Sequence, residues 1–282
     1  MAILSVDLAH RSWSDLGIVI LDRVKSQHDR AEANAEGVMP GTVECEVIHF
    51  TAAGINSNLS AFAQSPMKQK TVDSEVLAGQ LNHLANVRGI RSIVLNGPQA
   101  WKSGANGLVH ARVSERQLNT SAKTGLPGVV TPKTYRAFAE FCMDVYDGLC
   151  RRGWRRLSTQ GQVAALEDRV LIEGCPRAAW KSLGLKPLCS KRRARVSDLA
   201  EACVALNSVV PIVCNRPPNH DQIQAIVSGL PGLAIAEHNI AAVQFVGKAP
   251  HREQGHWREG FIVLPLPPPG QERWLNSMRW LN

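Results

Sequence analysis
Polar residues stand where short apolar runs of this 282-residue chain meet turns: Asp7 after Ile3, Leu4 and Val6, Asn96 after Ile93, Val94 and Leu95, and Glu173 after Val170, Leu171 and Ile172. A further acid, Asp221, opens an apolar stretch that follows Asn215-Arg-Pro-Pro-Asn219-His220. A carboxylate at a strand end projects from rigid backbone toward solvent, where it can hold a divalent cation or activate a water. The same positions also serve plain structure. Asp7 can start its turn by bonding the backbone two residues on. Glu173 can cap the turn before Pro176, and Asp221 can meet the positive end of a helix. His10 and His220 flank the two aspartates and can bond locally or shuttle a proton.

Apolar spacing defines the elements that must position these residues. Ile3 to Val6 and Leu16 to Leu21, separated by a polar turn at Ala9 to Asp15, read as a β-hairpin. A polar loop at 28–42 precedes a third strand over Val43 to Phe50, and a second loop at 51–70 follows it. Apolar residues at 72, 76, 77, 81, 84 and 87 share one helical face, and Gly89 fits the stop of that helix. Arg91 to Asn96 is then a buried strand ending at Gly97-Pro98. Residues 99 to about 165, with the helix Tyr135 to Arg152, read as a helical insertion covering one edge of the sheet. Beyond Glu173, Pro176 opens a short helix stopped by Gly184, Val196 to Leu206 forms another, and His220 to Leu230 a third. Pro231 to Asn239 carries no clear pattern, and Gly255 to Pro265 reads as a final edge strand. The expectation is one α/β domain over 1–265, a mixed sheet flanked by helices, with a Pro-rich tail at 266–282.

Composition narrows the partners. With 44% hydrophobic and 20% charged residues the chain has an ordinary globular composition and enough length to bury a core. No apolar run approaches the roughly 20 residues that a bilayer requires. The first residues lack a basic leader with an apolar core, which points to the cytoplasm. Seven cysteines, widely spaced and never as C-x-x-C, argue against a disulfide framework or a zinc site. A net charge of +8 favours an anionic partner. Arg151, Arg152, Arg155 and Arg156 surround Trp154, which can stack on a base or anchor a helix, and Lys186 to Arg195 is a second basic cluster.

The ordered set of motifs carries a family resemblance. A first strand ending in Asp7, Leu95-Asn-Gly-Pro98, Arg112-Val-Ser-Glu-Arg116-Gln-Leu, Ile172-Glu-Gly-Cys-Pro176, Asn219-His-Asp221 with Ala225, and Glu259-Gly-Phe-Ile-Val-Leu-Pro265 follow one another in that order. Together they resemble a family of predicted ribonuclease H-like nucleases of the RuvC/RNase H-like superfamily, over nearly the whole chain. In such proteins three antiparallel strands precede parallel ones. The resemblance implies a metal-dependent nuclease that hydrolyses phosphodiester bonds of DNA or RNA, with Asp7, Glu173 and Asp221 holding Mg²⁺ or Mn²⁺.

Two departures stand out. Asn96 and Gln224 occupy positions where the family carries acids. An amide offers a cation a carbonyl oxygen but no charge, so both positions line the site without strengthening it. The four arginines around Trp154 would hold the nucleic-acid backbone. The alternative is a catalytically degenerate protein that binds nucleic acid, or regulates, on the same scaffold. A small-molecule phosphotransferase is the third reading, although no Gly-rich phosphate loop is evident.

Overall fold
The computed structural model describes residues 1–23, 42–51, 54–55, 71–158 and 169–267. The expected loop at 28–42, most of that at 51–70 and the tail beyond 267 lie largely outside the described residues. Strand β1 (Ile3–Asp7) pairs antiparallel with β2 (Gly17–Arg23), and β2 pairs antiparallel with β3 (Val43–Ile48). Helix α1 (Ser74–Val87) then leads to β4 (Ser92–Asn96), which lies parallel to β1. Helices α2 (Val113–Leu118) and α3 (Arg136–Arg151) precede β5 (Val170–Gly174), parallel to β4.

Next come helix α4 (Pro176–Ser182), helix α5 (Val196–Asn207), strand β6 (Ile212–Cys214), helix α6 (His220–Ala236), strand β7 (Val243–Val246) and strand β8 (Ile262–Pro265), with shorter strands between some of these elements. The sheet runs β6-β3-β2-β1-β4-β5-β8-β7, so three antiparallel strands precede parallel ones, as in a ribonuclease H-like sheet. No helix among the described residues is long and apolar enough to cross a membrane.

Strand alternation divides the core between two faces. Leu4, Val6, Ile93, Leu95 and Leu171 pack on one side against Leu77 and Leu81 of α1 and Cys142, Val145 and Tyr146 of α3. Ile3, Val94, Val170 and Ile172 pack on the other against Ile223, Ile226 and Leu230 of α6. Helix α3 therefore lies beside α1 on a face of the sheet, so the 99–165 segment supplies a core helix and not an edge cover alone.

Small residues let α6 approach the sheet closely. The Ser5 hydroxyl donates to the Ala225 carbonyl at 2.7 Å. A Cβ on Gly229 would lie 2.7 Å from Leu21, and one on Gly232 would lie 2.3 Å from Val94. Both distances are shorter than real contacts, so only glycine fits at this approach.

Two expectations change at the C-terminal side. The helix expected to end at Leu230 continues through Pro231 to Ala236. Leu230, Leu233 and Ile235 are buried, and that apolar contact outweighs the lost amide bond at proline. The closing strand is interior: β8 sits between β5 and β7, and the edge is β7, which the sequence pattern left unassigned.

Candidate functional site
Register brings a row of residues to the carboxyl ends of the central strands. Asp7 is level with Gly17 on one side and Asn96 on the other, and Asn96 is level with Gly174. A Cβ on Gly17 would lie 2.1 Å from the Asp221 carbonyl oxygen, so this glycine admits the first turn of α6 against the end of the hairpin. Asp221 thereby reaches the same end and the same face as Asp7. The Asn96 side-chain amide donates to Asp7 Oδ1. Burial, reinforced by the charge of Asp221, pushes the Asp7 carboxyl from the usual 3.8 up to about 7, against the pull of Asn96, His220 and Lys191.

Asp221 is itself enclosed by cations. Lys191 Nζ donates to Asp221 Oδ2 at 2.5 Å and to Asp15 Oδ1 at 2.7 Å. His220 Nδ1 lies 3.0 Å from Asp221 Oδ1, and its Nε2 lies 2.8 Å from the Cys189 carbonyl oxygen. Both ring nitrogens face acceptors, so only the doubly protonated ring satisfies both. The bond to Asp221 accordingly raises the His220 pKa despite partial burial.

Glu173 belongs to different surroundings. It is level with Leu95, one residue short of the Asn96 row, and alternation turns it to the opposite face from Asp7. There Arg112 grips it with two parallel bonds, Nη1 to Oε2 at 2.7 Å and Nη2 to Oε1 at 2.6 Å. The Gln99 amide N–H adds a third at 3.1 Å. Arg112 also donates to Glu115 at 3.1 Å, and Glu115 accepts from the Thr124 amide and hydroxyl, each at 2.8 Å. Burial raises the Glu173 pKa, while Arg112 counteracts it; Glu173 and Glu115 in turn hold the buried guanidinium charged. The R-x-x-E-R segment is thus a buried clamp that ties the inserted region to β5. Glu259 of the closing motif has a similar role, accepting from the Ser103 and Val113 amides, each at 2.9 Å.

The other expected site residues are committed elsewhere. Gln224 Oε1 accepts from the buried Trp180 indole at 2.9 Å. Arg151 and Arg152 each bind Glu75 at 2.6 Å, which fastens the end of α3 to the start of α1. Arg156 is buried, donates to Asp147 at 2.8 Å and lies 4.6 Å over the Trp257 ring. Arg155 is level with Val170, at the end of β5 away from Glu173. Trp154 is buried and donates to Asn82 at 3.0 Å, so it anchors a helix and is not free to stack on a base. Of this cluster, Arg152 and Arg156 are therefore woven into the helix layer, while Arg151 and Arg155 remain exposed.

A further basic surface lies at the strand ends, where open α/β sheets place their ligands. A cleft of about 900 Å³ opens over Asn96, Gly174, His220 and Gln224. Exposed Arg177 and Lys181 of α4, with Lys186 and Arg193 of the following segment, line it. Among the described residues no carboxylate pairs with Arg177, Lys186 or Arg193. The acids that line the cleft, Glu115 and Glu173, both bind Arg112. Lys186 and Arg193 belong to the second basic cluster of the sequence; Arg177 and Lys181 were missed because they stand singly in an otherwise apolar helix.

No family model matches the chain, and no curated protein matches it. Among solved structures, RuvC of Thermus thermophilus is similar over 85% of this chain and 98% of its own, at 8% identity and a TM-score of 0.36.

The donor set does not suit a carboxylate-held pair of Mg²⁺ or Mn²⁺ ions. Hard cations need several oxygen donors converging on one point, whereas Asn96 points an amide N–H at Asp7 and Lys191 points an ammonium at Asp221. Glu173 faces away and is neutralised. Among the described residues no group of three or more His, Cys, Asp or Glu side chains is arranged to hold a metal.

Asp7 carries a testable consequence. Its folded pKa lies above its unfolded value, so the folded state prefers the protonated acid and its stability falls as pH rises from about 4 to about 7. Asp7→Asn mimics that form and keeps an oxygen for the Asn96 amide. It is expected to stabilise the fold by about 1–3 kcal/mol at pH 8 and to have little effect at pH 4. Urea unfolding at both values measures this; destabilisation at pH 8 would show that the ionised carboxylate is needed for folding.

Proposed function
We propose that the chain binds nucleic acid in the strand-end cleft and does not cleave it by a two-metal route. The observation that carries this reading is the set of exposed cations Arg177, Lys186 and Arg193 around a cleft whose own carboxylates are taken up by Arg112. Such a surface attracts a polyanion by releasing its counterions, without needing base contacts. Buried acid–base pairs beneath it leave little negative charge to oppose a phosphate backbone. The scaffold is a ribonuclease H-like mixed sheet, and the chemistry of this site has the character of a holder.

The metal-dependent nuclease remains the second reading, favoured by one observation. Asp7 and Asp221 share a face, and the charge of Asp221 acts on the Asp7 carboxyl. Titration of fluorescent single- and double-stranded DNA and RNA with the protein in EDTA separates the readings. The holder gives saturable, salt-sensitive anisotropy changes without metal. Absence of binding to all four probes would remove it.

A further inference from the structure
Lys191, part of the second basic cluster of the sequence, joins acids from separate parts of the fold. Asp15 comes from the short turn of helix at Trp13–Asp15 between β1 and β2, and Asp221 from the first turn of α6. The ammonium lies 2.7 Å from one and 2.5 Å from the other, and its charge is felt by Asp7 at the end of β1. Without that cation, the carboxylates of Asp15 and Asp221 would face each other across the gap it fills. We propose that the Lys191 ammonium is a built-in cation, occupying the position a divalent ion would need between Asp15 and Asp221, so that the native chain holds no divalent metal there.

Lysine and a divalent ion would compete for the same carboxylate oxygens. An ammonium is a compact point charge with three donors on a flexible stem. Two of those donors are met by Asp15 and Asp221. A divalent ion would have to displace the lysine and then tolerate its positive charge nearby, with the His220 ring also adjoining Asp221. A unit charge a few ångströms from a divalent ion weakens binding roughly tenfold even at the dielectric of water. The tethered lysine needs no loading, so the junction of α6 and the turn keeps its cation at any metal concentration. This inference does not depend on the nucleic-acid reading, because it is tested with metal alone.

The experiment uses the full chain, stripped with EDTA and freed of the chelator, and Mn²⁺ as the probe, followed by the paramagnetic resonance signal of free Mn²⁺ and by thermal melting. Native protein and Lys191→Arg, which keeps a cation, are expected to leave Mn²⁺ free and to melt at the same temperature with or without it. Lys191→Met keeps the stem and removes the charge. It is expected to bind one Mn²⁺ roughly tenfold or more tightly than native protein, to melt lower than native without metal, and to recover when Mn²⁺ is added. Adding Asp221→Asn to Lys191→Met should abolish both gains. Equal Mn²⁺ affinity in native protein and Lys191→Met, whether tight or negligible, would overturn the proposal.

Discussion
Arg112→Ala is expected to destabilise the protein by about 3–5 kcal/mol, because it leaves Glu173 and Glu115 buried without their cation. Arg112 and Glu173 are 1% and 3% exposed, so water cannot replace the lost partner without opening the core. The loss should deepen with pH. An unpaired Glu173 is held protonated by its burial, so its folded pKa lies above the unfolded value and stability falls as pH rises through the folded pKa. Arg112→Met combined with Glu173→Leu removes both charges of the bidentate pair and should recover part of the loss, since apolar replacement of a buried pair costs far less than breaking it. Urea unfolding of the single and double variants at pH 5 and pH 8 gives these quantities. A change below about 1 kcal/mol for Arg112→Ala would mean that the clamp is open to solvent.

Replacing Arg177, Lys186 and Arg193 together by alanine should weaken nucleic-acid binding by about 100- to 1,000-fold at about 0.1 M salt. The magnitude follows from counterion release, in which each phosphate contact contributes roughly 0.7–0.9 to the slope of log K against log salt. Three lost contacts should flatten that slope by about 2–3 and weaken all sequences alike. Arg151→Ala serves as the control. Arg151 binds Glu75 on the helix layer, away from the cleft, and its removal should leave affinity unchanged. The opposite result, an intact affinity in the triple variant and a loss in Arg151→Ala, would move the interface to the arginine cluster around Trp154.

Much of the scaffold was legible in the sequence because its signals are local. The hairpin at Ile3 to Leu21, the strand ending at Asn96 and the helix over 74–87 each announce themselves by apolar periodicity and a turn residue. The pattern showed Asp7 and Asn96 at strand ends and Asp221 at a helix start; that they meet at one end of the sheet came from the family resemblance and not from the pattern. What the pattern could not convey was face. Glu173 follows its strand as Asp7 follows its own, but the β4–β5 register sets it one residue short of the Asn96 row and turns it away.

Partners at long range were equally hidden. Arg112 and Glu173 lie 61 residues apart, and Lys191 and Asp15 lie 176 apart, so nothing local links them. Charge density at 151–156 in sequence says nothing of counter-charges such as Glu75 and Asp147 brought in by packing. Helix α6 ran past Pro231 for a related reason, since burial against the sheet is a tertiary term that propensity omits.

The decisive question is whether the chain holds nucleic acid without cutting it. Native protein incubated with end-labelled single- and double-stranded DNA and RNA, in Mn²⁺ and in EDTA, should retard the strands on a native gel in both conditions and leave them intact on a denaturing gel. Cleavage in Mn²⁺ that disappears in EDTA and in Asp7→Ala would contradict it and would establish a metal-dependent nuclease at the end of β1.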